Sequence, residues 1–147
     1  MNLNLEQVIQ ICNAKCMIGE NIVNQINFKN IEIQHLLYDS RRLNFIDNTL
    51  FFAFKTTNND GHKYIKELYN KGIRLFICEE LQELNQFPKA IFLLVKNSLE
   101  ALQKIAKYKR ENFHKEVIAI TGSNGKTIVK EWIVQLAQEN KKICYSP

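Results

Sequence analysis

The sequence predicts an α/β protein: a small α/β domain over residues 1–112, then the opening strand, glycine turn, helix and strand of a second α/β domain over residues 113–147. Three observations predict it. Continuous apolar runs at Leu50–Phe54, Ile73–Cys78 and Ala90–Val95 have the length and the β-branched and aromatic content of strands buried on both faces. Segments with helical spacing alternate with them, the order that layers helices on a sheet. Finally, Val117-Ile118-Ala119-Ile120 runs straight into Thr121-Gly122-Ser123-Asn124-Gly125-Lys126-Thr127, a strand pattern entering a glycine-rich turn.

Taken in order, Leu5, Val8, Ile9, Cys12 and Cys16 form a helical stripe, which puts the two cysteines on one helix face. Ile31-Glu32-Ile33 alternates like a short strand, and His35–Tyr38 is a second extended piece. Asp39-Ser40-Arg41-Arg42 breaks the pattern before the Leu50–Phe54 strand. Thr56 to Gly61 is a polar loop whose Asp60-Gly61 step signals a turn. Tyr64, Ile65, Leu68 and Tyr69 have helical spacing over 62–70, and Gly72 is placed to stop that helix. After the Ala90–Val95 strand, Asn97 or Ser98 caps a helix carrying Leu99, Leu102, Ile105, Ala106 and Tyr108. The polar stretch Glu111–Lys115 marks the domain boundary. A helix over about 126–139 follows, with Ile128, Trp132, Ile133, Leu136 and Ala137 on one side, and Lys142–Tyr145 reads as a strand.

Composition bounds the function. A hydrophobic content of 46% with 24% charged residues describes a globular chain. No apolar run approaches the roughly 20 residues of a membrane span, and Met1–Glu6 lacks the pattern of a signal peptide; the expected location is the cytoplasm. The net charge of +5 is spread along the chain rather than gathered into a basic block with aromatics, so nucleic acid is not the expected partner. The four cysteines form no CxxC pair and complete no zinc pattern with the three histidines; buried thiols are expected.

The glycine turn carries the clearest chemistry. Gly122 and Gly125 let the backbone wrap closely and aim N–H groups at a phosphate. The helix that starts near Lys126 adds the positive end of its dipole. Ser123 and Asn124 complete the cradle, Lys126 reaches the outer phosphates, and the Thr127 hydroxyl is placed for Mg2+. The usual phosphate-loop pattern has a glycine where Ile120 stands, so this is a shorter variant. The second domain is thus read as a P-loop ATPase domain, expected to be incomplete within residues 113–147.

Thr121–Thr127 resembles the ATP loop of the Mur ligases, with a similar loop in folylpolyglutamate synthases. Val129-Lys130-Glu131-Trp132 resembles the MurF type of that family. In the first domain, Asp39-Ser40-Arg41, Thr49–Ala53, Asp60-Gly61-His62 and Lys71-Gly72-Ile73 resemble the N-terminal domain of MurE- and MurF-type ligases in order and spacing, although Thr56 stands where the family has glycine. The resemblance covers about Ile33 to Pro147, and Asp39–Arg42 with Glu131-Trp132 also resembles the ligase half of a fused ligase–alanine racemase.

The resemblance implies that residues 1–112 hold the UDP end of a UDP-N-acetylmuramoyl-peptide and that residues 113–147 open the central ATP-binding domain. It implies ATP-dependent amide formation through an acyl phosphate attacked by the amine of D-alanyl-D-alanine, with ATP and Mg2+ as cofactors. Lys126 and Thr127 are then the catalytic candidates, and Gly122, Ser123, Asn124 and Gly125 hold the ATP phosphates with them. Ser40 is placed to bond a uracil or diphosphate oxygen, Arg41 to offer a charged fork to phosphate, and Thr57, Asn58 and Asn59 to meet a base edge. Asp60 and Gly61 are read as turn and cap; His62 is either a helix-start residue or a ligand. A non-catalytic module binding the UDP precursor, a gene remnant, and a MurE-type amino-acid-adding ligase are the alternatives. The chain alone is expected to be inactive.

Overall fold

The computed structural model describes residues 3–19, 21–22, 28–57, 59–80 and 83–146. The chain divides into two compact units, Met1–Phe113 and His114–Pro147.

In the first unit β1 (Leu3–Asn4) leads into α1 (Leu5–Cys12), then β2 (Lys15–Ile18), β3 (Asn21–Ile22), β4 (Glu32–Ile33) and β5 (His35–Leu37). β6 (Thr49–Phe52), α2 (Ile65–Asn70), β7 (Leu75–Cys78), β8 (Ile91–Leu94) and α3 (Ser98–Glu111) complete it. The main sheet has six strands in the order β3-β2-β8-β7-β6-β5. β5 to β8 run parallel, each beside the next, and β2 joins β8 antiparallel. β1 and β4 form a separate antiparallel pair.

Side-chain alternation splits the interior into two cores. Leu50, Phe52, Leu75, Ile77 and Leu93 pack on one face with Leu5, Val8 and Cys12 of α1 and Ala101 and Ile105 of α3. Phe51, Ala53, Phe76, Cys78 and Phe92 pack on the other with Ile65 and Leu68 of α2. Helices on both faces explain why the strands read as unbroken apolar runs. At roughly 1.5–3 kcal/mol for each fully buried large side chain, these two layers supply most of the driving force for folding.

The helix ends follow from their caps. Asn4 Oδ1 accepts from Gln7 N–H at 2.8 Å while Gln7 Oε1 accepts from Asn4 N–H at 3.0 Å, a reciprocal capping box. Asn97 Oδ1 accepts from Glu100 N–H at 2.8 Å, so Asn97 is the cap of α3. Gly72, at φ +110°, closes the turn after α2. The helix expected over 62–70 starts as a 3-10 turn, Gly61–Tyr64, before α2 begins.

The expectations for Cys16 and Cys144 are corrected. α1 stops at Cys12 because Asn13 turns left-handed at φ 50°, so Cys16 lies on β2 rather than on the helix. Burial pushes the Cys12 and Cys16 thiols up to about 11 and Cys78 up to about 12, which keeps all three protonated; Cys144 is exposed.

In the second unit the expected helix forms as α4 (Lys126–Ala137). Its Val117–Ile120 and Lys142–Tyr145 segments are not strands: among the described residues neither has a ladder partner. β-branched content gives a segment the preference, but inter-strand hydrogen bonds make the strand.

Candidate functional site

The carboxyl ends of β5 and β6 open into a cleft of about 1050 Å3. This is the end of a parallel sheet at which α/β proteins take ligands. Tyr38–Arg41 leave β5 along one wall, Thr56, Asn59 and Gly61 follow β6 along another, and Tyr64, Glu67 and Lys71 border it from the α2 side.

Ser40 and Arg41 sit in a 3-10 turn that Asp39 caps through its Oδ1, which accepts from Arg41 N–H at 3.1 Å. The Arg41 guanidinium is also forked onto Asp39, Nε to Oδ1 at 2.9 Å and Nη2 to Oδ2 at 2.8 Å. That bonding holds the Asp39 carboxyl at about 2, with the side-chain bonds from Arg41 as the main cause. The free fork expected for phosphate is therefore engaged inside the chain, and the Nη1 group of Arg41 takes no part in that pairing. Lys71 is paired with Glu67 at 2.5 Å. The charged residues of the lining thus cancel in pairs.

Of the residues expected at the UDP end, Ser40, Arg41 and Asn59 line the cleft. Thr57 is exposed and is not part of the lining, and Asn58 lies outside the described residues. Tyr38, Thr56 and Tyr64 were not among the candidates and do line it. Thr56 has a physical role where the family has glycine. Its hydroxyl donates to Asn59 O at 3.0 Å and accepts from Asn59 N–H at 3.1 Å, while its own N–H donates to Asn59 O at 2.8 Å. A threonine here ties the loop to itself.

Below the loop, Gly61 N–H donates to Phe54 O at 2.7 Å. A Cβ on Gly61 would lie 2.8 Å from Phe54 N and 2.9 Å from Phe54 O, so only glycine fits this approach. Asp60 caps the following 3-10 turn by accepting from His62 N–H. His62 is buried, and both ring nitrogens are bonded to protein: Nδ1 lies 2.6 Å from Asp60 Oδ1, and Nε2 accepts from Glu79 N–H at 3.0 Å. Of its two readings, helix start or ligand, the structure supports the first.

In the second unit the glycine turn is exposed. Gly125 is the N-cap of α4 at φ 76°, and Gly122 stands at φ 152°. No atom lies within 4 Å of a Cβ built on Gly125, so the left-handed backbone, not crowding, calls for glycine there. Lys126 Nζ donates to Gly122 O at 2.5 Å and bonds Ser123 O at 3.4 Å. The ammonium therefore folds back over the loop, within reach of anything the loop holds. The turn, the helix start and this lysine suit a phosphate chain, with Gly122–Thr127 as the residues that would hold it. The Thr127 hydroxyl, in the first turn of α4, is of the type that would meet an accompanying Mg2+.

A family model described as Mur ligase family, catalytic domain, matches residues 32–110, more than half of the chain. The match spans every residue that lines the cleft and ends before the glycine turn. The chain belongs to the Mur ligase family. Among its relatives, the UDP-N-acetylmuramoyl-tripeptide–D-alanyl-D-alanine ligase of Rickettsia prowazekii is 41% identical over 88% of this chain and 27% of that protein. A UDP-N-acetylmuramoyl-L-alanyl-D-glutamate–2,6-diaminopimelate ligase of Clostridioides difficile is 34% identical over 84% of this chain and 25% of that protein. The crystal structure of the MurF ligase of Thermotoga maritima in complex with ADP superposes with a TM-score of 0.61 at 28% identity, over 81% of this chain and 26% of that one. The chain thus spans about a quarter of the length of the proteins it matches.

Proposed function

We propose that this chain is the substrate-holding part, with the opening of the ATP site, of an ATP-dependent ligase that joins D-alanyl-D-alanine to UDP-N-acetylmuramoyl-tripeptide. The observation that carries the reading is the cleft at the carboxyl ends of β5 and β6, lined by Ser40, Arg41 and Asn59 inside the stretch the family model matches. In this reading Ser40 bonds an oxygen of the UDP end, the Nη1 group of Arg41 meets a phosphate oxygen, and the Asn59 amide meets the base edge. ATP supplies the activated phosphoryl group. Lys126 neutralises its charge, the backbone of Gly122–Gly125 orients it, and Thr127 helps hold Mg2+. The Rickettsia relative and the ADP-bound Thermotoga ligase support this choice.

Calorimetry on the folded chain tests the reading. One molecule of UDP-N-acetylmuramoyl-tripeptide is expected to bind per chain, and Arg41→Ala is expected to weaken it by about tenfold, the loss of one charge-assisted hydrogen bond. No heat from a folded sample would exclude a substrate-holding role.

The Clostridioides relative favours one second reading, the branch that adds 2,6-diaminopimelate. The full-length ligase that contains this chain separates the two: the reading holds if ATP consumption requires D-alanyl-D-alanine, and yields to the second if it requires 2,6-diaminopimelate. Absence of ATP consumption with either amine would favour a module that binds without ligating.

A further inference from the structure

We propose that His62 is a positioning residue for the cleft: it ties the wall that carries Thr56, Asn59 and Gly61 to the end of β7 and so holds that wall in the shape the ligand meets. This rests on the reading that the cleft takes a UDP-linked substrate. The imidazole is 7% exposed and does not line the cleft, so it acts through others. Its tautomer follows from its partners. Nε2 accepts from Glu79 N–H at 3.0 Å, which leaves the proton on Nδ1. Nδ1–H therefore donates to Asp60 Oδ1 at 2.6 Å, the same oxygen that accepts from His62 N–H at 2.9 Å. Both bonds favour the carboxylate form of Asp60, whose carboxyl is lowered from its ordinary value, first by the backbone bond from His62.

Asp60 is the point where the wall closes. It pairs with Lys55 in an isolated antiparallel bridge, and its neighbours Asn59 and Gly61 face the cleft. The bridge and the bond from Gly61 N–H to Phe54 O register the loop against the end of β6. The imidazole adds the register against β7. Glu79 is itself fixed: its Oε1 accepts from Ser98 N–H at 2.8 Å and lies 2.5 Å from Ser98 Oγ, which also lies 3.1 Å from Ala53 O. The ring thus joins the cleft wall to Glu79 at the end of β7, and the Glu79 side chain in turn meets Ser98 at the start of α3, whose hydroxyl lies beside Ala53 at the end of β6.

The test uses the full chain and UDP-N-acetylmuramoyl-tripeptide as the probe. His62→Ala and Asp60→Ala are each expected to raise Kd by about tenfold, and the double variant by clearly less than the product of the two, because both break the bond from Nδ1–H to Asp60. Asp60→Asn keeps an acceptor oxygen and is expected to recover affinity. Amide exchange in the ligand-free chain is expected to accelerate at Thr56 and Gly61 but not at Phe76 or Phe92. Additive effects, an unchanged Kd with only a lower Tm, or no recovery in Asp60→Asn would overturn the proposal. If His62→Ala does not fold, Asp60→Ala, at a half-exposed side chain, decides it alone. If the wild-type chain binds no probe, the functional reading fails, and the exchange pattern then decides: local acceleration supports the positioning role, uniform acceleration overturns it.

Discussion

Arg41 shows how a neighbour two positions away changes what a side chain can do. Its guanidinium is 86% exposed, yet two of its nitrogens are engaged by Asp39. The partnership has a measurable sign. Asp39 is held at about 2 in the folded chain, below the ~3.9 of an unperturbed aspartate. A depressed folded-state value means that the pair contributes fully above the ordinary carboxylate range and is lost as pH falls through about 2. A carbon-detected titration of the Asp39 carboxyl is expected to show that midpoint, and Arg41→Ala to return it to the ordinary range; an unmoved midpoint would mean that the fork does not form in solution. Gly61 makes the second case. Its missing Cβ would press on Phe54 N and O, backbone atoms that move only with β6. Gly61→Ala is therefore expected to cost about 1–3 kcal/mol, as overpacking does, seen as a lower denaturation midpoint. A stability equal to wild type would show that the strand end yields freely.

At the scale of elements, local chemistry decided which ones the sequence revealed. β6, β7 and β8 were legible because helices cover both faces of the sheet and every position but Thr49 is apolar. α3 was legible from its stripe and from Asn97. The junction of α1 and β2 was not, because the Leu5–Cys16 spacing continues the helical period while Asn13 breaks it with a left-handed residue. Asparagine adopts that conformation at low cost, so it leaves no mark as clear as glycine does. The junction is testable: Asn13→Ala is expected to cost about 1–2 kcal/mol and Asn13→Gly to leave stability nearly unchanged, measured by urea unfolding. Equal effects would mean that the turn is not left-handed. The cleft was partly legible for a related reason. Ser40, Arg41 and Asn59 sit in motifs that are contiguous in sequence, whereas the partner that fixes His62 is the Glu79 N–H, seventeen positions along the chain. Val117–Ile120 and Lys142–Tyr145 carry the composition of strands, but pairing depends on neighbours that composition does not supply.

At the scale of the molecule the two units differ in what holds them. Met1–Phe113 contains both apolar cores and the cleft. In His114–Pro147, α4 has no buried residue, and Trp132 and Leu136 are 61% and 80% exposed. Cooperative unfolding therefore belongs to the first unit, because cooperativity comes from a shared core. The chain has one tryptophan, and it lies in the second unit. Two probes consequently report different things. Trp132 emission is expected at the wavelength of a solvated indole in the native chain and to move little in denaturant. Far-ultraviolet circular dichroism is expected to show a single steep transition. A ligand held by the cleft stabilises the folded first unit by RT ln(1 + [L]/Kd), about 2.7 kcal/mol at a hundred times Kd. For a unit of this size that raises the midpoint of the thermal transition by roughly 10 °C. UDP-N-acetylmuramoyl-tripeptide at that excess is expected to shift the dichroism curve by this amount. A native emission already shifted to the blue would show that Trp132 is covered in solution. A dichroism midpoint that does not move with ligand would remove the cleft from the binding of the substrate.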